Sequence, residues 1–158
     1  MKQAVKTQYT TLIWLSVLLF ISFYPMLVSI YVFLPLFIGS MAYLLVDGID
    51  RNKSSFIIVA IIFMLNLEVN LSLPIFLIVI STLLFYVLIY PNLKYFRNCK
   101  ICRPLLSVLL LDLMYLGCLF AFDFVFQTQS IVLDTILLYS LIVDMLIVVL
   151  IRDINLLF

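Results

Sequence analysis

The residues in this sequence whose chemistry most needs explaining are acids that lie within apolar runs. Asp112 and Asp123 lie in one apolar run, Asp134 and Asp144 in the next, and Glu68 near the end of an earlier one. An acidic side chain at the centre of a bilayer costs about 2.5–3.5 kcal/mol, and such residues are candidate functional sites by default. These five acids, together with Asn66, are therefore the candidates for intramembrane polar or partner contacts.

Two of the acids are predicted to share one depth. Asp112 lies eight residues after Pro104, and Asp144 lies seven residues before Ile151. At about 1.5 Å per residue, both carboxyl groups lie about 10–12 Å from the same edge of a helical bundle. The remaining acids are predicted near the opposite, outer edge: Glu68, Asp123 and Asp134.

Three interpretations of these acids remain open at this point. A structural role requires protonated carboxyl groups that bond to Tyr115, Ser140 or the backbone, because no lysine or arginine is expected at their depth. In that case the outer acids are simply hydrated. The other two roles are a lateral contact with protein or lipid, and the movement of ions or protons.

The residues that the chain lacks exclude several kinds of site. The sequence contains no histidine, so Ser–His hydrolysis is excluded, and we expect no enzyme activity, cofactor or metal centre. Cys99 and Cys102 form a single C-x-x-C, which supplies only two of the four ligands of a structural zinc site. We expect free thiols there, because the loop is predicted to face a reducing cytoplasm; a redox pair is the alternative.

Composition indicates which elements must position these residues. Of 158 residues, 67% are hydrophobic and 11% charged, with a mean hydropathy of +1.34. Soluble domains are about 45–50% apolar and 25% charged, so we predict a single all-α, multi-pass membrane domain, without a nucleic-acid partner. Its six apolar segments approach the roughly 20 residues that a spanning helix needs. They are approximately residues 9–24, 29–46, 56–71, 74–90, 104–126 and 130–151.

The basic residues predict the orientation of the spans. All nine lysines and arginines fall on one side of the six-span arrangement, which places both termini in the cytoplasm by the positive-inside rule. The predicted location is the bacterial inner membrane, in contact with its lipids. The predicted cytoplasmic basic surface consists of Arg51, Lys53, Lys94, Arg97, Lys100 and Arg103.

Prolines predict where the helices end or bend. Pro25, Pro74, Pro91 and Pro104 lie near proposed helix ends, whereas Pro35 lies within the second segment and is predicted to kink it. We find no internal repeat in the sequence. Because the third and fourth segments are short, a re-entrant pair is an alternative to two full spans.

Several features together resemble the MreD family, the small membrane subunits of the bacterial rod-shape complex. In that family a proline in the second helix precedes an apolar run that ends in tyrosine, here Pro35 to Tyr43. The third span of the family ends in Leu-Asp-Leu and then Leu-Gly, where this chain has Leu65-Asn66-Leu67 and Leu73-Pro74. A basic loop and a following aspartate, Lys94–Arg103 and Asp112, also match. Asn66, Pro74 and the C-x-x-C depart from the pattern.

The resemblance implies a fold, a function and a set of partners. It implies a non-enzymatic scaffold of cell-wall elongation that links a bitopic MreC-like protein and actin-like filaments to a peptidoglycan polymerase and its transpeptidase. The departure at Asn66 puts a partner role at that position in doubt. Because the family's fold resembles the substrate-binding subunits of vitamin transporters, a transporter subunit is the alternative, with a cavity near Glu68, Asp123 and Asp134.

Overall fold

The computed structural model describes residues 2–31, 33–93, 102–127 and 135–157, with their side chains except at residues 2–11, 13, 135–138 and 151–157. The described residues form helices and connecting turns, without a strand, which confirms the all-α prediction. The helices are α1 (Lys2–Ile30), α2 (Ile38–Asp50), α3 (Ser54–Asn70), α4 (Leu77–Leu88), α5 (Tyr90–Leu93), α6 (Cys102–Phe126) and α7 (Thr135–Leu157).

The first helix continues past the proline that was predicted to end it. Pro25 lies inside α1, and because proline has no N–H, the Ile21 carbonyl loses its usual partner four residues later. The Asn66 side chain on α3 donates to that carbonyl at 2.8 Å. The predicted connection at residues 25–28 is therefore wrong, because a side chain from a distant helix satisfies the interrupted backbone.

The true break between α1 and α2 lies later, at residues 31–37. Pro35 lies in this break and not inside a helix, so the predicted helix kink at Pro35 is wrong. Its carbonyl accepts a hydrogen bond from the Tyr24 hydroxyl at 2.7 Å. Phe37 then adopts a left-handed backbone conformation, with φ of 55°, directly before α2. The segment predicted at 29–46 thus contains the end of α1, the break and the first part of α2.

The break between α3 and α4 has a local sequence similar to that of the first break. Residues 34–38 read Leu-Pro-Leu-Phe-Ile and residues 73–77 read Leu-Pro-Ile-Phe-Leu. Phe76, like Phe37, is left-handed, with φ of 70°, and directly precedes a helix. Both breaks therefore use one short sequence motif, Leu-Pro-x-Phe.

Helix α2 is the central element of the described bundle. It packs against α3, α4, α6 and α7, while α1 packs against α3 and α4 packs against α6. Stacked aromatic rings from α1, the first break and α3 fill the space beside it, with centroids 4.8–6.2 Å apart. These rings are Phe20, Tyr24, Phe37 and Phe63. Residues 34–37 of the first break are thereby partly buried, whereas Tyr31 and Phe33 are 60% and 85% exposed.

The outer surface of the bundle carries many large apolar side chains. Examples are Leu18 on α1, Val87 on α4 and Phe124 on α6, which are 64%, 68% and 88% exposed. By length and composition, one described helix, Cys102–Phe126, is able to cross a membrane. Shorter apolar helices are found at Trp14–Ile30, Ser54–Asn70, Leu77–Leu88 and Tyr139–Leu150.

Candidate functional site

The start of α2 is held by side chains of α7. Phe37, the residue before the helix, supplies no side-chain cap, so the first backbone amides of α2 need acceptors from elsewhere. The Asp144 carboxylate accepts from the Gly39 amide at 3.2 Å. One turn earlier on α7, the Ser140 hydroxyl accepts from the Leu36 amide at 2.9 Å. Helix α7 thus provides the cap that the local sequence lacks.

A second carboxylate reaches the same point from α6. A Cβ atom built on Gly39 would lie 2.6 Å from both carboxylate oxygens of Asp112. Only glycine therefore lets Asp112 approach the α2 backbone this closely. Asp144 reaches the same residue through its bond to the Gly39 amide. The structure therefore brings together the two acids that the sequence places at one depth.

Several oxygen atoms at this point lack a hydrogen-bond partner. Among the described residues they are Oδ2 of Asp112, Oδ1 of Asp144 and the hydroxyl of Tyr115, on side chains that are 8%, 1% and 4% exposed. A cavity of about 20 Å³ lies beside them, and its lining includes Asp112, Tyr115 and Ser140. That volume has room for about one water molecule. We call Asp112, Asp144, Tyr115, Ser140 and Gly39 the α2 acid site.

Glu68 has a different environment, at the start of α4. Its side chain is fully buried, and its two carboxylate oxygens accept from the Phe76 amide at 2.7 Å and the Ile78 amide at 2.6 Å. These amides lie at the start of α4, on the residue before the helix and on its second residue. The positive end of the helix dipole there favours an anion. Glu68 is therefore a cap supplied by α3, and it is not a hydrated outer residue.

The other predicted polar contacts do not join either acid site. Asn66 bonds within the bundle to Ile21 and also accepts from Asn70 at 2.8 Å. Asp123 is partly buried further along α6 and is not among the residues that line the cavity. Asp134 lies outside the described residues.

Three members of the predicted basic surface have described side chains, and each contacts a neighbouring side chain. Arg51 forms an ion pair with Asp47 at 2.9 Å, and Lys53 lies 5.0 Å from the ring centre of Phe56. Arg103 donates to the Tyr90 hydroxyl at 2.7 Å and stacks on its ring. The remaining predicted members of the basic surface lie outside the described residues: Lys94, Arg97 and Lys100.

The cysteines differ from the expectation of free thiols. Cys102, the first residue of α6, is disulfide-bonded, so that expectation is wrong there. Cys118 is free, and Cys99 lies outside the described residues.

Sequence reasoning missed two members of these sites. Gly39 was not predicted, although a glycine within an apolar run is a signal for the close approach of another group. The capping role of Glu68 was also missed. Its signal was an α4 start, Ile75-Phe76, without a Ser, Thr, Asp or Asn to cap it.

Comparisons with protein-family models, with curated proteins and with solved structures found no match to this chain. The function of the chain is therefore inferred from the arrangement of its residues.

Proposed function

We propose that the chain is a multi-pass membrane protein with six membrane-crossing segments and both termini in the cytoplasm. The support is the one-sided distribution of its basic residues together with acids buried in the interior and an apolar exterior. Helices α2 and α4 have 13 and 12 residues, about 20 Å and 18 Å long, so each needs its preceding break to complete a crossing. Non-helical backbone at membrane depth needs partners within the protein, and Tyr24, Ser140 and Glu68 each bond to a backbone group of these breaks.

We propose further that the protein is a non-enzymatic scaffold subunit, similar to the MreD family, in a cell-wall elongation complex. The observation that carries this proposal is how the buried polar groups are used. Ser140, Asp144 and Glu68 hold the starts of α2 and α4, and the cavity beside Asp112 has room for about one water molecule. Typical small-molecule pockets measure about 300–1,000 Å³. The exposed apolar helix faces are left for lateral contacts with an MreC-like bitopic protein, the polymerase and its transpeptidase.

The transporter-subunit alternative has less support. It predicts an outward-open ligand cavity near Glu68, Asp123 and Asp134. Glu68 is instead fully buried, and both of its carboxylate oxygens are occupied by backbone amides. A ligand would have to displace these bonds before it could contact the carboxylate.

Depletion of the protein in its native, rod-shaped bacterium tests the scaffold role. We expect the cells to become round as the protein disappears from immunoblots, and expression of the wild-type chain to restore rods. A strain that carries the Glu68→Gln chain at equal abundance serves as a structural control. Rods that persist after complete depletion would contradict the proposal, and a specific loss of vitamin uptake would favour the alternative.

Reporter fusions test the membrane arrangement separately. Alkaline phosphatase is active only outside the cytoplasm, so fusions after Ser72 and Gln127 are expected to be active. Fusions after Asn52 and Phe158 are expected to be inactive. Activity at Asn52 would exclude the six-span arrangement, whatever the cellular role of the protein.

A further inference from the structure

The α2 acid site contains more negative charge than its helix start requires. The positive end of a helix dipole corresponds to about half an elementary charge, and at α4 the single Glu68 carboxylate is sufficient as a cap. At α2, Asp144 already accepts from the Gly39 amide. Asp112 then adds a second carboxylate at the same amide. One of the two charges is therefore in excess.

No cationic side chain offsets this excess within the part of the chain that the structure describes. Neither Asp112 nor Asp144 has an ion-pair partner there. The titratable groups that face the pair are Tyr24 on α1, which interacts with Asp144, and Tyr115 on α6. Glu68 on α3 interacts in turn with Tyr115. Because an uncompensated buried charge costs several kcal/mol, the excess charge must be neutralised, either by a proton on one carboxyl group or by a bound cation.

We propose that the α2 acid site binds one sodium ion, in the cavity lined by Asp112, Tyr115 and Ser140. Two oxygen atoms without partners belong to that lining, Oδ2 of Asp112 and the Tyr115 hydroxyl, and a third, Oδ1 of Asp144, lies outside it on the side chain that bonds to Gly39. The Ser140 hydroxyl, which also lines the cavity, is a fourth. All four are hard oxygen donors, which suit a hard cation.

The size of the site favours one small ion over a divalent one. The cavity of about 20 Å³ accommodates about one water-sized particle. Calcium takes six to eight oxygen ligands, and magnesium requires octahedral coordination and usually keeps several waters. Four side-chain oxygens around one water-sized space do not meet either requirement.

The site joins three elements that are far apart in the chain. Gly39 lies at the start of α2, Asp112 on α6, and Ser140 with Asp144 on α7. A bound cation would therefore hold α6 and α7 against the start of α2. This inference depends only on that packing and is independent of the scaffold role.

Thermal stability of the purified full-length protein in lipid nanodiscs tests the inference. Sodium chloride replaces choline chloride at constant ionic strength and neutral pH, and a potassium series is the size control. We expect a saturable rise of the melting temperature by several degrees with sodium. In a second arm, the pH is lowered in choline chloride alone. A rise only in this arm would show that a proton on the carboxyl pair, and no sodium ion, neutralises the site, and would overturn the proposal.

Variants decide whether the response belongs to the site. Asp112→Asn is expected to abolish it, and Tyr115→Phe to raise the half-saturating concentration by about tenfold. Asp47→Asn, which removes a carboxylate from the other end of α2, is the matched control and is expected to keep the full response. Binding of radioactive sodium at one ion per wild-type chain provides a second readout if a variant is unstable.

A sodium response that is present in the wild type and in Asp47→Asn, and lost in Asp112→Asn, supports the site. A sodium response of equal size in Asp112→Asn overturns it, as does the absence of a sodium response in the wild-type protein.

Discussion

The starts of α2 and α4 both lack a side-chain cap from their own segment, and each obtains one from another helix. Each follows a Leu-Pro-x-Phe segment in which the phenylalanine is left-handed and offers no side-chain cap. In each, the amide of the second helical residue, Gly39 or Ile78, donates to a carboxylate from another helix. At α4 one acid makes two short bonds, whereas at α2 two acids leave two oxygens without partners.

The comparison shows what a buried acid does in each place. Glu68 is fully used as a cap, so its presence needs no ligand. The pair at α2 exceeds the capping requirement, and its glycine and cavity allow a further group to bind. Burial of an acid in an apolar helix is therefore insufficient evidence for a functional site; the unused hydrogen-bonding capacity is the informative quantity.

The largest effect is expected from removal of the α4 cap. Glu68→Ala leaves the Phe76 and Ile78 amides buried without acceptors, which should destabilise the protein by about 3 kcal/mol or more. The measurement is unfolding in mixed detergent and SDS, followed by circular dichroism. A variant whose unfolding midpoint matches the wild type would show that the cap is not needed.

A smaller effect is expected at the glycine of the α2 acid site. In Gly39→Ala the new Cβ atom would lie 2.6 Å from the Asp112 carboxylate, and overpacking of this kind costs about 1–3 kcal/mol. Gly39→Ala combined with Asp112→Ala should recover most of that loss in the same unfolding assay. If the second change brings no recovery, the close contact between these residues is not the cause.

The Asn66 contact extends the comparison to a third interrupted backbone, inside α1. Asn66→Leu is expected to cost about 1 kcal/mol, because the Ile21 carbonyl loses its donor. In a Pro25→Ala background the helix supplies its own N–H to that carbonyl, so the same change should cost much less. A double-mutant cycle measures this coupling; additive effects would argue against the pairing.

The smallest effect is expected at Gly117, on the outer face of α6. No described atom lies within 4 Å of a Cβ atom built there, so a side chain at this position has open space around it. Gly117→Ala should leave the unfolding midpoint unchanged or raise it slightly through helix propensity. A clear loss of stability in a protein shown to be monomeric would contradict the outward orientation.

The sequence predicts well those features that depend on local apolar runs. The predicted segments 56–71 and 104–126 agree closely with α3 and α6. The shared depth of Asp112 and Asp144 follows from the constant rise of two antiparallel helices, and the structure brings the two residues together at Gly39.

Features that depend on distant contacts were not predicted. Whether α1 continues through Pro25 is decided by Asn66, more than forty residues away in sequence. The start of α2 is likewise decided by Ser140 and Asp144 on α7. No local window of sequence contains both partners, so the position of the first break could not be placed from the sequence.

The most direct test of the difference between the two helix starts compares Glu68→Gln with Asp112→Asn in one sodium-free choline buffer. Glu68→Gln should lower the melting temperature, because an amide provides only one acceptor oxygen for two backbone amides. Asp112→Asn should leave the melting temperature unchanged or raise it. The change removes an excess buried charge, and the new amide group can donate to the unpaired Asp144 oxygen. Equal losses in the two variants would contradict the account, since both acids would then be acting only as caps.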